Sequence, residues 1–288
     1  MKPEFDDLFV YEPSFLIAEQ MEEQGLVFEG KAIGTAALAD LALKRDQLGM
    51  QDADPKAFAN ERKKGQTVGA RKFKVATKRT RAALQRAIGK YQKSELDEKE
   101  FRKDVTKTMR MAWRDVFLAG LRAGGAKGEG SGKNKVMVKL DVGDDKWLKS
   151  AVQHEMRFLN GFINAVVNET YVMPLNRRVG MYLSALNSFY ESARVIALPA
   201  NVAIWWKGPD DKVTCPSCRY MFEHSPYTKL TLPTTPRSGA TICLTNCRDH
   251  LFIRRVSPEQ AESMSFGALT QRQHYVRKLR TIKKQGHA

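Results

Sequence analysis

Four residues of this 288-residue chain carry thiols, and they come as two close pairs. Cys215 and Cys218 form a C-x-x-C knuckle, and Cys243 and Cys247 form a C-x-x-x-C pair after 24 intervening residues. A loop that short lets two sulfurs converge, and two such loops supply the four ligands of a tetrahedral Zn site, at Zn–S distances of about 2.3 Å. Incidental core thiols would be scattered along the chain. Disulfides and free thiols compete with this reading, and folding in a reducing cytoplasm favours the metal. A redox-active pair is disfavoured, because Cys215 follows Gly208, Pro209, Asp210 and Asp211 instead of opening a helix within a βαβ unit. His224, six residues after Cys218, and His250, three after Cys247, are alternative ligands for a cysteine.

No catalytic constellation accompanies the cysteines. His154 and Glu155 begin an H-E pair, but Phe158 stands where a zincin needs its second histidine, so His154 reads as a surface residue. Phosphate loops of the G-x-x-x-x-G-K-[ST] type and G-x-S-x-G elbows are missing from the sequence. The expectation is a protein that is not an enzyme.

The net charge of +16 is local. Residues 62–93 carry twelve Lys or Arg and no carboxylate, and residues 271–288 carry six and none, so the remainder is slightly acidic at −2. Within 62–93, Arg71, Lys72, Lys74, Lys78, Arg79, Arg81, Arg86 and Lys90 are candidates for neutralising DNA phosphates without reading bases. A solvated helix, or one facing an acidic protein, fits the same charges. The first thirty residues invert the pattern, with eight carboxylates and a single lysine. Their aromatic residues lack a helical or alternating period, so this stretch reads as an extended arm. Either Phe5, Phe9 and Tyr11 anchor it on a neighbouring subunit, or it is a partly disordered end.

The elements that must position these residues are mostly helical. A short helix is expected over Ala32–Lys44 and a loop over 50–70, where Gly65 and Gly69 fall. Ser94, with Asp97 three residues on, resembles a capping box. Behind it Phe101, Val105, Met109, Trp113, Val116 and Phe117 share one helical face, and Gly120 is expected to end the helix. The Gly- and Lys-rich stretch 123–135 reads as a linker at a domain boundary, followed by a short strand at 136–142. Asp144 or Asp145 then caps a helix buried through Trp147, Leu148, Ala151, Met156, Leu159, Ile163 and Val166. Pro174 separates it from a second helix near 176–197, giving a helical hairpin within 136–199. Val202–Trp206 reads as a strand that leads into a cysteine module over 200–256, and 257–288 as a basic C-terminal helix or tail. The fold class is mainly α, with a small irregular β region organised by the four-cysteine site. No apolar run reaches the about 20 residues a membrane helix needs. The N-terminus, with Glu4, Asp6 and Asp7, is unlike a secretory leader, so synthesis and folding are expected in a cytoplasm.

One stretch carries a family resemblance. Trp206, Asp211, Cys215, Cys218, Pro226, Tyr227, Thr228, Leu232, Pro233, Pro236, Gly239, Thr241, Cys243, Asn246, Cys247 and Arg248 together resemble the C-terminal signature of tailed-phage minor head proteins, the Mu protein F-like head morphogenesis family. The resemblance covers about the last half of the chain, with Arg178–Tyr182 as a weaker extension. It departs at Asp249, where many relatives carry a final cysteine, and Cys243 takes that ligand's place. The resemblance implies a virion or assembly protein made in the bacterial host, binding portal, major capsid protein or scaffold within a larger symmetric assembly, and touching packaged DNA. The rival class is a Zn-containing, sequence-independent DNA-binding protein acting in packaging or processing, and the lack of an acidic metal cluster counts against its nuclease form.

Overall fold

The structure is a computed structural model that describes residues 55–126, 140, 142–171, 173–209, 214–238, 240–243 and 247–286. The acidic arm with Phe5, Phe9 and Tyr11, the helix expected over 32–44 and most of the Gly-rich linker lie outside the described residues. Among the described residues the protein is mostly helical, with seven helices and one two-stranded sheet. The chain forms two compact units: Asn60–Arg194 is one, and the described part of the other runs chiefly from Val195 onward.

Four long helices build the first unit: α1 (Pro55–Gln92), α2 (Glu98–Gly124), α3 (Val142–Val167) and most of α4 (Leu175–Ile196). Ring pairs fix their pairing. Tyr91 stacks on Phe101, Phe117 on Trp147 and Trp113 on Phe189, while Phe162 meets Tyr182 and Phe73 meets Tyr190. Sequential neighbours run antiparallel: Phe117 meets Trp147 at one end of the α2–α3 pair and Arg102 bonds Asn164 at the other. The face expected for α2 is the one buried, with Phe101, Val105, Met109, Trp113, Val116 and Phe117 all inaccessible to solvent.

Several expected boundaries move, each for a physical reason. The loop expected over 50–70 is helical from Pro55 onward. Gly69 is a packing glycine, because a Cβ there would lie 2.6 Å from the Ala119 carbonyl oxygen and 2.7 Å from the Ala123 Cβ. Gly120 likewise lies inside α2, where a Cβ would come within 2.2 Å of the Tyr190 carbonyl oxygen. The helix runs on to Gly124, and Gly125, at φ 109°, supplies the left-handed cap. The capping box belongs to Asp97 and Glu100, while Ser94 takes φ 59° between α1 and α2. Val142 opens α3 where the end of a strand was expected, which puts Asp144 and Asp145 in the first helical turn. The unit boundaries fall at 59/60 and 194/195, while the helices flanking the Gly-rich stretch share one unit, held by Phe117 on Trp147 with centroids 5.1 Å apart.

The expected surface residue His154 is half-buried, and Glu155, next to it, is buried where Met156 was expected. Burial pushes the Glu155 carboxyl up to about 7, and burial, with Arg157 second, pulls His154 down to about 4.

The second unit is built on β1 (Val202–Lys207) and β2 (His250–Arg255), an antiparallel pair in which Val202 faces Arg255 and Lys207 faces His250. Between them lies α5 (Pro216–Glu223), and after β2 come α6 (Pro258–Ser265) and the basic α7 (Ala268–Gly286). Alternation turns Val202, Ile204 and Trp206 inward, all fully buried, and leaves Lys207 in solvent. Tyr227 extends the sheet by exchanging two backbone hydrogen bonds with Ile204, each 2.7 Å. One core joins these inward residues to Tyr220, Met221, Leu232, Leu251 and Leu279, and two of the cysteines, Cys218 and Cys247, lie in it.

Candidate metal centre

Cys215 closes the approach from β1 and opens α5. It is the helix N-cap: its Sγ accepts the backbone N–H of Cys218 at 3.4 Å, and Pro216 follows in the first turn. The C-x-x-C pair therefore does open a helix, but one set between the antiparallel β1 and β2 and not within a βαβ unit.

The second pair is brought in by loop hydrogen bonds. Ile242 N–H donates to Ser217 Oγ at 3.3 Å, tying the stretch of chain before Cys243 to the first turn of α5. Arg237 Nε donates to the Cys247 carbonyl at 2.9 Å, and the Thr241 hydroxyl lies 3.3 Å from Cys243 Sγ. Cys218 Sγ ends 3.4 Å from Cys243 Sγ and 3.5 Å from Cys247 Sγ. All four cysteines are free. A disulfide needs sulfurs about 2.05 Å apart, whereas sulfurs sharing one tetrahedral metal at about 2.3 Å stand about 3.8 Å from each other. The observed 3.4 and 3.5 Å are far from the first and nearer the second.

Two donor sets whose ligand atoms lie within 4.8 Å of one another share Cys218: Cys215–Cys218–Cys243 and Cys218–Cys247–Asp249. The cluster can hold a metal ion. Cys218 and Cys247 are buried, and Cys215 and Cys243 are half-buried. Hydrogen bonding to Cys215 foremost, then to Cys243 and Cys247, pushes the Cys218 thiol up. Hydrogen bonds from Cys218 and Cys243 hold Cys247 below the ordinary thiol range.

Asp249 is the residue sequence reasoning undervalued. Buried at 6% exposure, its carboxylate accepts the Trp206 indole N–H at 2.5 Å and lies within ligand range of Cys218 and Cys247. Gly208 makes room for it, since a Cβ there would stand 1.9 Å from Asp249 Oδ1. The signal was present in the sequence, because Asp249 occupies the position of a cysteine in the resembled pattern. The two histidines, by contrast, join neither donor set. His224 is exposed, with Nδ1 2.9 Å from the Tyr220 carbonyl and its ring against Tyr220 and Tyr275. His250 is exposed on β2, opposite Lys207.

The candidate phosphate ligands all fall on α1. Arg71, Lys72, Lys74, Lys78, Arg79, Arg81, Arg86 and Lys90 are exposed, while Ala76, Thr80, Leu84, Ala87 and Ile88 turn inward. Arg79 is ion-paired with Asp115 on α2. Among the described residues no helix is long and apolar enough to cross a membrane.

Compared with models of protein families, with curated proteins and with solved structures, the chain matches none.

Proposed function

We propose that the chain is a non-enzymatic assembly protein of a tailed-phage head, of the minor-head type, stapled by Zn bound to Cys215, Cys218, Cys243 and Cys247. The observation that carries this reading is where the residues of the resemblance fall. Trp206, Cys218, Tyr227, Leu232 and Cys247 are buried together in one core, so the shared pattern is a folding pattern built around the thiols. Residues that hold a core together suit a protein whose work is binding, with portal, major capsid protein or scaffold as partners. Soft sulfur donors in a four-cysteine set select Zn over harder divalent cations. Quantitative mass spectrometry of purified particles and their precursors tests the reading: a fixed, low copy number supports it, and absence from both overturns it. Exchanging Phe5, Phe9 and Tyr11 for Ser is expected to lower that copy number, because aromatic anchors carry much of an interface's binding energy.

The exposed cations of α1 favour a second reading, a Zn-containing DNA-binding protein of packaging or processing. Binding to random duplex would weaken steeply with salt, through counterion release. Replacing Lys78, Arg79 and Arg81 by Gln is expected to weaken it equally for all sequences. Unchanged binding at low salt would take the site away from α1.

A further inference from the structure

We infer that α7 carries a second nucleic-acid-binding face, on the other unit from α1, and that the metal-bound cysteine knuckle holds this face in place. The inference rests on the metal reading of the cysteines.

The face is built from one side of a firmly seated helix. Val276, Leu279 and Lys283 are buried, while His274, Arg277, Lys278, Arg280 and Lys284 are exposed. No carboxylate side chain occurs in the sequence after Glu262, so α7 itself brings no acidic side chain to this face. At a rise of about 1.5 Å per residue, Arg277 to Lys284 spans about 10 Å, and over that length duplex DNA offers about six phosphate charges. Nucleic acid is the partner that fits. The exposed large apolar residues of the described chain are Val75, Met111, Phe222, Phe252 and Phe266, none of them on α7, so this face offers charge without an apolar anchor, which suits phosphates.

The link to the metal runs through α5. Tyr275 of α7 packs against Tyr220, His224 and Tyr227, with ring centroids 6.3, 5.7 and 5.4 Å apart. Tyr220 lies two residues after Cys218 on a helix of eight residues capped by Cys215. A helix that short has little stability of its own, so its position depends on what is fixed at its first turn. Cys218, Cys247 and Leu279 share one core with Tyr275 and Ile282 against it. Releasing the metal removes the constraint at Cys215 and Cys218, loosens α5, and takes away the floor on which α7 stands. The α1 face lies in the other compact unit and keeps its own packing.

The test uses the full chain loaded with Zn and a random duplex of about 30 base pairs, with affinity followed against salt concentration. Replacing Arg277, Lys278, Arg280 and Lys284 together by Gln is expected to lower the log–log salt slope by about 3, at about 0.9 for each phosphate neutralised by Arg277, Lys278 and Lys284, with Arg280 already engaged within the protein. Chelation is expected to lower the slope of the unaltered chain toward that of the fourfold variant and to change the variant little. Tyr275→Ala is expected to reduce the slope while one metal stays bound by elemental analysis. A fourfold variant with an unchanged slope overturns the second face and gives these cations to an acidic protein. A slope indifferent to chelation in a protein shown to hold metal overturns the coupling and leaves the metal reading standing. Four reduced cysteines without metal in the freshly purified protein sink both the metal reading and the coupling.

Discussion

Replacing Glu155 by Gln is expected to make the stability of the helical unit less dependent on pH. The carboxyl is buried on α3, and desolvation holds its pKa at about 7, against 4.5 for the free group. A raised carboxyl binds its proton more tightly in the folded chain, so folding costs nothing extra below pH 4.5. The penalty grows as pH rises, and it is complete once pH passes 7. Integrating the two titration curves gives about 2–3 kcal/mol lost between pH 5 and pH 8, of the same size as one large core truncation. Tyr182 on α4 feels the Glu155 charge, and His154 is the neighbour of Glu155 in the chain. Of these, His154, pulled down to about 4, works in the opposite sense and costs stability as pH falls below 6.5. Comparing the chain with Glu155→Gln at both pH values cancels that contribution. Urea unfolding followed by far-ultraviolet circular dichroism reads mainly α1 to α4, which hold most of the helix. The variant is expected to gain about 2–3 kcal/mol on the unaltered chain in moving from pH 5 to pH 8. Parallel pH profiles for the two proteins would show that Glu155 is charged at no cost and refute the reasoning.

Elemental analysis of the purified protein is expected to give one Zn per chain, with Cys215→Ser and Cys247→Ser each losing it. In these variants hydrogen exchange is expected to accelerate in α5 and α7 but not in α2, whose packing lies in the other unit. Gly120→Ala is expected to destabilise the bundle by about 2 kcal/mol in denaturant titrations, since the new methyl meets the Tyr190 carbonyl. Gly89→Ala, with no atom within 4 Å of the added Cβ, is expected to stabilise it by about 0.5–1 kcal/mol. Gly208→Ala is expected to displace Asp249 and weaken Zn retention against a chelator, read by metal-release kinetics.

The apolar periodicity of α2 was legible because Phe101, Val105, Met109, Trp113, Val116 and Phe117 all obey one rule, burial on one face. The convergence of the cysteines was legible for a similar reason, since their spacing leaves few ways to arrange four sulfurs. What escaped the sequence was decided by neighbours that the sequence does not announce. Gly69 and Gly120 read as breakers because glycine is costly in a helix, and only the opposing Ala119 and Tyr190 backbones show why that cost is accepted. Met156 was the natural apolar choice for the face of α3, yet Glu155 occupies the buried position, and a carboxyl held near its neutral form is invisible to a hydrophobicity pattern. Cys215 as an N-cap was hidden because sulfur is an uncommon capping acceptor.

The pairing of β1 with β2 also sets an order of events. Val202–Trp206 is uncharged and apolar, and it leaves the ribosome well before His250–Arg255, the strand that covers one of its edges. Tyr227 comes sooner and can occupy the other edge through its two bonds to Ile204. In that interval a nascent chain presents a bare strand ending in two tryptophans, the kind of segment that pairs with its own copies. Chains truncated between the two strands are therefore expected to precipitate, and slow elongation across this stretch to favour inclusion bodies. The cysteine loops lie in the same interval, so metal available during synthesis would shorten the time for which that strand goes unpaired.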